Sequence, residues 1–267
     1  MSSPDKLLKY EDSWPTDKGL AFAGQRVVYR GADLFSDLLN VRWMTLFLLG
    51  ITGRRFTDRQ IDLFESLWSL STSYPDPRIW NNRVAALAGT CRSTGALGLS
   101  SAIAVSEARI YGFQPIIRAY DFIVQANRMR LQGEDLTLLV LQELKRNRTI
   151  AGYARPRINA DERIEPLGKR ADALGFGGGE HLETAREIER ILIAQRYRLR
   201  MNVAAMAAAL AADQGLSRNE YYQFVLPCFI AGMSPCFMDA DDKPAGVFMP
   251  LRCDRIQYSG SPRRRWR

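Results

Sequence analysis

Residues 152–163 read GYARPRINADER. Twelve positions hold one tyrosine (Tyr153), three arginines (Arg155, Arg157, Arg163) and two carboxylates (Asp161, Glu162). Gly152 and Pro156 interrupt any plain helix, because glycine tolerates left-handed backbone and proline lacks the N–H a helix needs. A turn that projects several guanidiniums suits a multiply anionic ligand: arginine keeps its charge and grips a carboxylate or phosphate through two parallel hydrogen bonds. The same run also reads as a solvated loop before a helix, and the residues alone leave both readings open.

Composition narrows the field around this turn. The chain has 267 residues, 46 % hydrophobic and 25 % charged, enough apolar mass for one large domain or a large and a small one. Its net charge of +8 favours anionic partners. Outside the tail PRRRWR at 262–267 the basic residues are dispersed and form no nucleic-acid motif, so nucleic acid is not the expected partner. Cys91, Cys228, Cys236 and Cys253 form no C-x-x-C pair, and His181 is the one histidine. That argues against a metal site and a disulfide framework, and for free thiols in a reducing cytoplasm. The first residues, MSSPDKLLKYED, lack the apolar segment of a signal peptide. The apolar run at 44–51 is too short to span a bilayer, and no membrane partner is expected.

Apolar residues recur at helical spacing along most of the chain, and β-branched alternation is almost absent, which predicts an all-α fold. Thr57-Asp58-Arg59-Gln60 is a capping box, with Ile61, Phe64, Leu67 and Trp68 on one face beyond it. The prolines of SYPDPR at 73–78 end that helix. Residues 83–110 form one long Ala/Gly/Ser-rich stretch suited to close helix packing. Helices are expected over 115–130, 136–146, 163–174, 180–196, 203–213 and 218–232. The chain after 232 is expected to be irregular with short strands.

With these segments in order, the chain resembles the citrate synthase superfamily over roughly residues 30 to 264. The turn is similar to the family's G-[YF]-G-H/R-P…D-[PE]-R signature. Residues 31–49 with 53–63 look like its early helices, residues 202–215 (NVAAMAAALAADQG) like its N-V-D stretch, and the YSGSPRR run at 258–264 like its closing Y-x-G-x-x-R. The resemblance implies a large helical domain over 31–148 and 224–267, a small helical domain over 149–223, and an N-terminal arm over 1–30. It implies a coenzyme A thioester as substrate, no tightly bound cofactor, and a dimer, either of this chain or with a citrate synthase-like subunit.

The family's reaction needs a carboxylate base, a histidine at the enolate oxygen and a second histidine at the keto carbonyl. At the matching positions this chain carries other residues. The keto-polarising position is Arg155, the base position is Ala204, the enolate turn is YGFQPIIRA at 111–119, and an earlier binding position falls near Trp80-Asn81-Asn82. The resemblance therefore implies a C–C bond-making or -breaking enzyme with a substituted site, possible in secondary metabolism, rather than ordinary citrate synthesis. Alternatively it implies a non-catalytic subunit that binds ligand or regulates a partner. Arg155, Gln114, Arg118 and Tyr153 are the candidate catalytic residues: Arg155 as a fixed cation at a carbonyl, Gln114 or Arg118 as an oxyanion donor, Tyr153 as an acid. Arg163, Asn202, Asn81, Arg157 and Arg264 are the candidate substrate-binding residues. Glu107, Asp121, Asp161 and the acidic run at 239–242 are weak candidates for a base. His181 is read as structural.

Overall fold

A computed structural model of the chain describes residue 8 and residues 10–155, 160–262 and 264–265. Packing divides it into two compact units, Met1–Ser71 with Glu107–Cys228, and Thr72–Ser106 with Phe229–Arg267. The segment 149–223 lies inside the first of these.

The first unit opens with a three-stranded antiparallel sheet: β1 (Gly19–Phe22), β2 (Arg26–Tyr29) and β3 (Ala32–Asp33). This sheet falls mostly within the segment expected as an N-terminal arm, and the body of the fold is helical as expected. Its strands are only two to four residues long, too short to show a period in the sequence. Arg30, at φ 50°, turns the chain back and donates from Nε and Nη2 to the carbonyl of Gly50, at 3.0 and 2.7 Å. That ties the sheet to α1 (Trp43–Thr52), and Ala32, Leu38 and Leu49 form the small core between them.

The capping box at Thr57 is formed: Thr57 N–H donates to Gln60 Oε1 at 2.9 Å and Gln60 N–H to Thr57 Oγ1 at 3.4 Å. It starts α2 (Asp58–Ser71), which buries Ile61, Leu63, Phe64 and Leu67. Phe64 meets Phe56 and Phe224 edge to face, with ring centroids 5.3 Å apart in each pair. Such pairs add about 0.5–1.5 kcal/mol beyond their buried area.

Helices α5 (Phe113–Leu131), α6 (Leu136–Asn147), α7 (Ile164–Leu174), α8 (Glu180–Ala194), α9 (Val203–Asp213) and α10 (Arg218–Val225) complete this unit. At its centre is α9, whose residues 205–211 are all buried. Its run of alanines allows α2, α5 and α8 to pack close around it. The Gly-rich break at 175–179 is explained by space: a side chain at Gly177 would strike Asp172, and one at Gly179 would strike Asp213.

The second unit holds α3 (Trp80–Thr90), α4 (Gly95–Val105) and α11 (Ile230–Asp241). The expected single stretch at 83–110 is two helices. Arg92 takes φ 58° and Thr94 Oγ1 accepts from Leu97 N–H, so one helix closes and the next is capped. Glycine sets the approach of α11: a Cβ at Gly89 would lie 2.3 Å from the Phe237 carbonyl. The chain after 232 is helical to Asp241 rather than strand-bearing. Pro235 sits within α11, which is why its pattern reads as irregular. A 3₁₀ turn at Leu226–Phe229 follows α10, so the expected helix over 218–232 is α10 plus that turn and the start of α11. The run Arg218–Asp241 is long and apolar enough to cross a membrane by composition, a test that buried core helices also pass.

Candidate functional site

The arginine turn is placed by the residue that opens it. Gly152 has φ 89°, and a Cβ there would lie 2.6 Å from Ala205 Cβ on α9 and 3.1 Å from Ala119 Cβ on α5. The absent side chain lets the turn enter between these two helices. Tyr153 follows with no exposed surface, its hydroxyl donating to the carbonyl of Ala185 on α8 at 2.9 Å. Burial first, and then the Glu189 carboxylate, hold its phenol well above the ordinary tyrosine value. Expected as a catalytic acid, Tyr153 is instead a core anchor that holds the turn on α8. Its proton is neither exposed nor labile near neutral pH.

Beyond Tyr153 the backbone surfaces and meets the start of α9. Asn202 is the cap of that helix: its Oδ1 accepts from Ala204 N–H at 2.9 Å. Its Nδ2 donates to the Ala154 carbonyl at 2.7 Å and its N–H to the Gly152 carbonyl at 2.8 Å. One side chain therefore caps the helix and joins the two chain segments expected to make the site. Ala204, which the resemblance aligns with a base, offers this backbone N–H to the cap and no carboxylate.

Asp161 is the hub. Its side chain is buried. It accepts from Arg163 Nε and Nη2, each at 2.8 Å, and from the backbone N–H of Val203 at 2.8 Å. Arg155 Nη1 stands 3.5 Å from the same carboxylate and also pairs with the exposed Glu162. Burial alone would raise the Asp161 pKa. The hydrogen bonds from Arg163 and Val203, with the charge of Arg163, outweigh it and hold the group below the usual carboxylate range. Asp161 is thus an ionised strut across the N-terminus of α9, where the helix dipole also favours an anion. It organises arginines and is poorly suited to take a proton.

These residues surround a hollow of about 40 Å³, lined by Arg155, Asp161, Asn202, Arg198 and Arg200 among others. That volume admits a group of a few heavy atoms, the size of a carboxylate. Arg198 and Arg200 had escaped the sequence analysis. Their stretch, RYRLR at 196–200, carries no motif, though its three alternating arginines directly before Asn202 were a usable signal. Arg157 lies outside the described residues. A larger hollow of about 310 Å³ lies elsewhere, between Arg42, Asp62, Glu65, Ser66 and Arg170. Its arginines are spent on its own carboxylates: Arg42 pairs with Asp62 and Glu65, and Arg170 with Asp62 at 3.2 Å. We give weight to the smaller one because the functional groups converge there.

Gln114 and Arg118, expected on the oxyanion side, stand one turn apart at the start of α5. Gln114 donates to Glu107, and Glu107 also accepts from the Tyr222 hydroxyl at 2.9 Å. Arg118 donates to the Arg109 carbonyl. Ala119, next to Arg118, is the α5 residue that meets Gly152, and Gln114 lies ~6 Å along the helix axis from Arg118. Asp121 is held by Arg218 at 2.9 Å. Within the second unit, Asn81 is buried, donating from Nδ2 to Ser106 Oγ at 3.3 Å, and Arg264 is exposed. There too, Asp239 pairs with Lys243 at 2.5 Å and Asp241 with Arg92 at 3.0 Å. His181 is structural. Asp213 accepts from its N–H at 2.8 Å and from Leu182 N–H at 3.1 Å, so capping α8, and lies 2.9 Å from His181 Nδ1.

No family model and no curated protein sequence matches the chain. Its architecture is nevertheless similar to known structures. Citryl-CoA lyase from Hydrogenobacter thermophilus superposes with a TM-score of 0.83 at 19 % identity, over 95 % of this chain and 97 % of that one. ATP citrate lyase from Methanothrix soehngenii, in a structure holding citrate and coenzyme A, gives 0.75 at 18 % identity, over 98 % of this chain and 45 % of that one. Citrate synthase from Thermoplasma acidophilum gives 0.64 at 17 % identity, over 84 % and 58 %. The chain has the citrate synthase-like fold.

Proposed function

We propose that this chain, with its citrate synthase-like fold, is a lyase that breaks a C–C bond in a carboxylate-bearing coenzyme A thioester of the citryl type. The observation that carries the reading is the arginine-lined hollow at Arg155, Asp161 and Asn202, on a chain that superposes over 95 % of its length on a citryl-CoA lyase. Cleavage in this direction asks less of the protein than citrate synthesis. The base must take a proton from a hydroxyl rather than from carbon, and Ala204 offers no carboxylate for carbon. As the hydroxyl passes its proton to solvent, its oxygen forms the new carbonyl, the C–C bond breaks, the electron pair moves onto the thioester as an enolate, and a proton from solvent on the enolate carbon completes the released thioester. Arg155, a fixed cation, holds the carboxylate next to the hydroxyl-bearing carbon and so also polarises the nascent carbonyl, while Arg163, bonded to Asp161, fixes the turn that presents it. Arg118 uses one N–H on the Arg109 carbonyl and offers the others to the enolate oxygen. A decarboxylation would demand still less, since loss of carbon dioxide generates the enolate without a base.

The test is direct. The purified chain is incubated with citryl-CoA, and separately with acetyl-CoA plus oxaloacetate, and thioester is followed over time. Cleavage of citryl-CoA that falls at least a hundredfold in Arg155→Ala supports the reading. No turnover of either substrate set sinks it.

A second reading has its own support. Arg155 and Arg163 already pair with the chain's own carboxylates, which suits a subunit that binds ligand without turning it over. A face of α4 with no charged residue and with Leu97, Ser101, Ala104 and Val105 exposed supports a dimer, with a second copy or with a citrate synthase-like subunit. Activity that appears only on adding such a subunit would favour this reading over the first.

A further inference from the structure

Arg198 shares the hollow with Arg155 but differs from it in one respect. Arg155 faces Asp161 and Glu162, whereas Arg198 is exposed on the rim and makes no ion pair with any described residue. Its backbone is held on both sides. Tyr197 N–H donates to the Leu192 carbonyl at 2.9 Å, Met201 N–H to Glu189 Oε1 at 2.8 Å, and Asn202 N–H to the Gly152 carbonyl at 2.8 Å. Arg200 is folded against its own stretch, donating to the Leu199 carbonyl at 2.9 Å and the Tyr197 carbonyl at 3.3 Å. The segment is therefore pre-ordered, and Arg198 is the cation it leaves for a ligand. Pre-ordering matters because a binding group held in place loses less entropy when the ligand arrives.

The hollow has room for one carboxylate-sized group and not for a whole polyanion. We infer that Arg198 is a specificity-determining binding residue: one carboxylate of the ligand enters the hollow at Arg155, and Arg198 at the rim takes a second. A ligand with two or more separated carboxylates engages both cations, while a monocarboxylate engages one. The inference rests on reading this hollow as the substrate site, and it names which added residue selects the substrate class.

The experiment measures binding by calorimetry on the full chain at fixed ionic strength, with citrate and with acetate. Wild type is expected to bind citrate more tightly than acetate. Arg198→Gln is expected to lose at least tenfold in citrate affinity with acetate affinity and thermal midpoint unchanged, and Arg198→Lys to recover part of the loss. Arg196→Gln, an exposed arginine two positions away that does not line the hollow, is the control for general charge and is expected to bind as wild type. Equal citrate affinity in wild type and Arg198→Gln overturns the inference, as does an equal loss in Arg196→Gln or a wild type that prefers acetate or binds neither. Should Arg198→Gln not fold, the citrate-to-acetate ratio of Arg198→Lys decides, and an unchanged ratio overturns the inference. Citryl-CoA turnover is scored separately, so an active enzyme with no effect at Arg198 would reject this residue's role and leave the lyase reading standing.

Discussion

Asp161 accepts a hydrogen bond from the backbone N–H of Val203 at 2.8 Å, across 42 positions of chain. With Arg163 on its other side, this carboxylate fastens the arginine turn to the N-terminus of α9. The geometry of the candidate site depends on that strut more than on any arginine alone.

Removing its charge tests the strut. Asp161→Asn is expected to cost about 1–3 kcal/mol, because an amide leaves the arginines and a buried N–H imperfectly matched. For a domain of this size that is several degrees in Tm, read by calorimetry. The pH dependence has a definite sign. The Asp161 pKa is lowered on folding, so its contribution is present above the ordinary aspartate value of about 3.9 and is lost as pH falls below that toward the folded value. The stability difference between wild type and Asp161→Asn should therefore shrink as pH is taken below ~4. A difference that stays constant through that window would show that the charge is not what stabilises.

Gly152→Ala should damage the site and the fold together. An alanine must adopt φ 89° and place its Cβ 2.6 Å from that of Ala205. Left-handed strain and overpacking each cost about 1–3 kcal/mol. The expected result is a loss of at least ~2 kcal/mol in urea unfolding. A variant as stable as wild type would mean that α5 and α9 part easily at this point.

Tyr153→Phe separates structure from chemistry at one atom. Loss of the hydrogen bond to the Ala185 carbonyl is expected to cost about 1 kcal/mol. Because the hydroxyl is buried, kcat on any active thioester substrate should stay within about twofold of wild type. A large fall in kcat with little change in stability would return Tyr153 to the role of acid.

The thiols should divide by environment. Burial pushes Cys228 up to about 12 and raises Cys236 as well, so neither presents much thiolate near neutral pH. Cys91 is exposed. Iodoacetamide followed by peptide mass spectrometry should label Cys91 quickly, and Cys228 and Cys236 only after denaturation. Rapid labelling of Cys228 in the native protein would show that the core around Trp68 opens readily.

Much of the helical architecture was legible because its signals are local. The Thr57 capping box and the helical spacing over 136–146, 180–196 and 203–213 each act within a few residues, so the sequence reports them. The N-terminal sheet was missed because strands of two to four residues have no readable period. Helix α11 was missed because a proline inside it mimics a stop.

The sequence by itself determined the helical class, most of the helices between 57 and 225, the position of the arginine turn and the absence of a carboxylate at Ala204. The tertiary structure alone decided what those residues do. It turned Tyr153 from a candidate acid into a core anchor, made Asp161 a strut instead of a base, seated Asp213 as the cap of α8, and brought Arg198 to the hollow beside Arg155. The physical reason is range. Propensity and capping act over a few residues, whereas burial and the hydrogen bonds to Ala185, Val203 and His181 join positions 32, 42 and 32 apart. No local pattern records those distances, and they exist only once α5, α8 and α9 have packed.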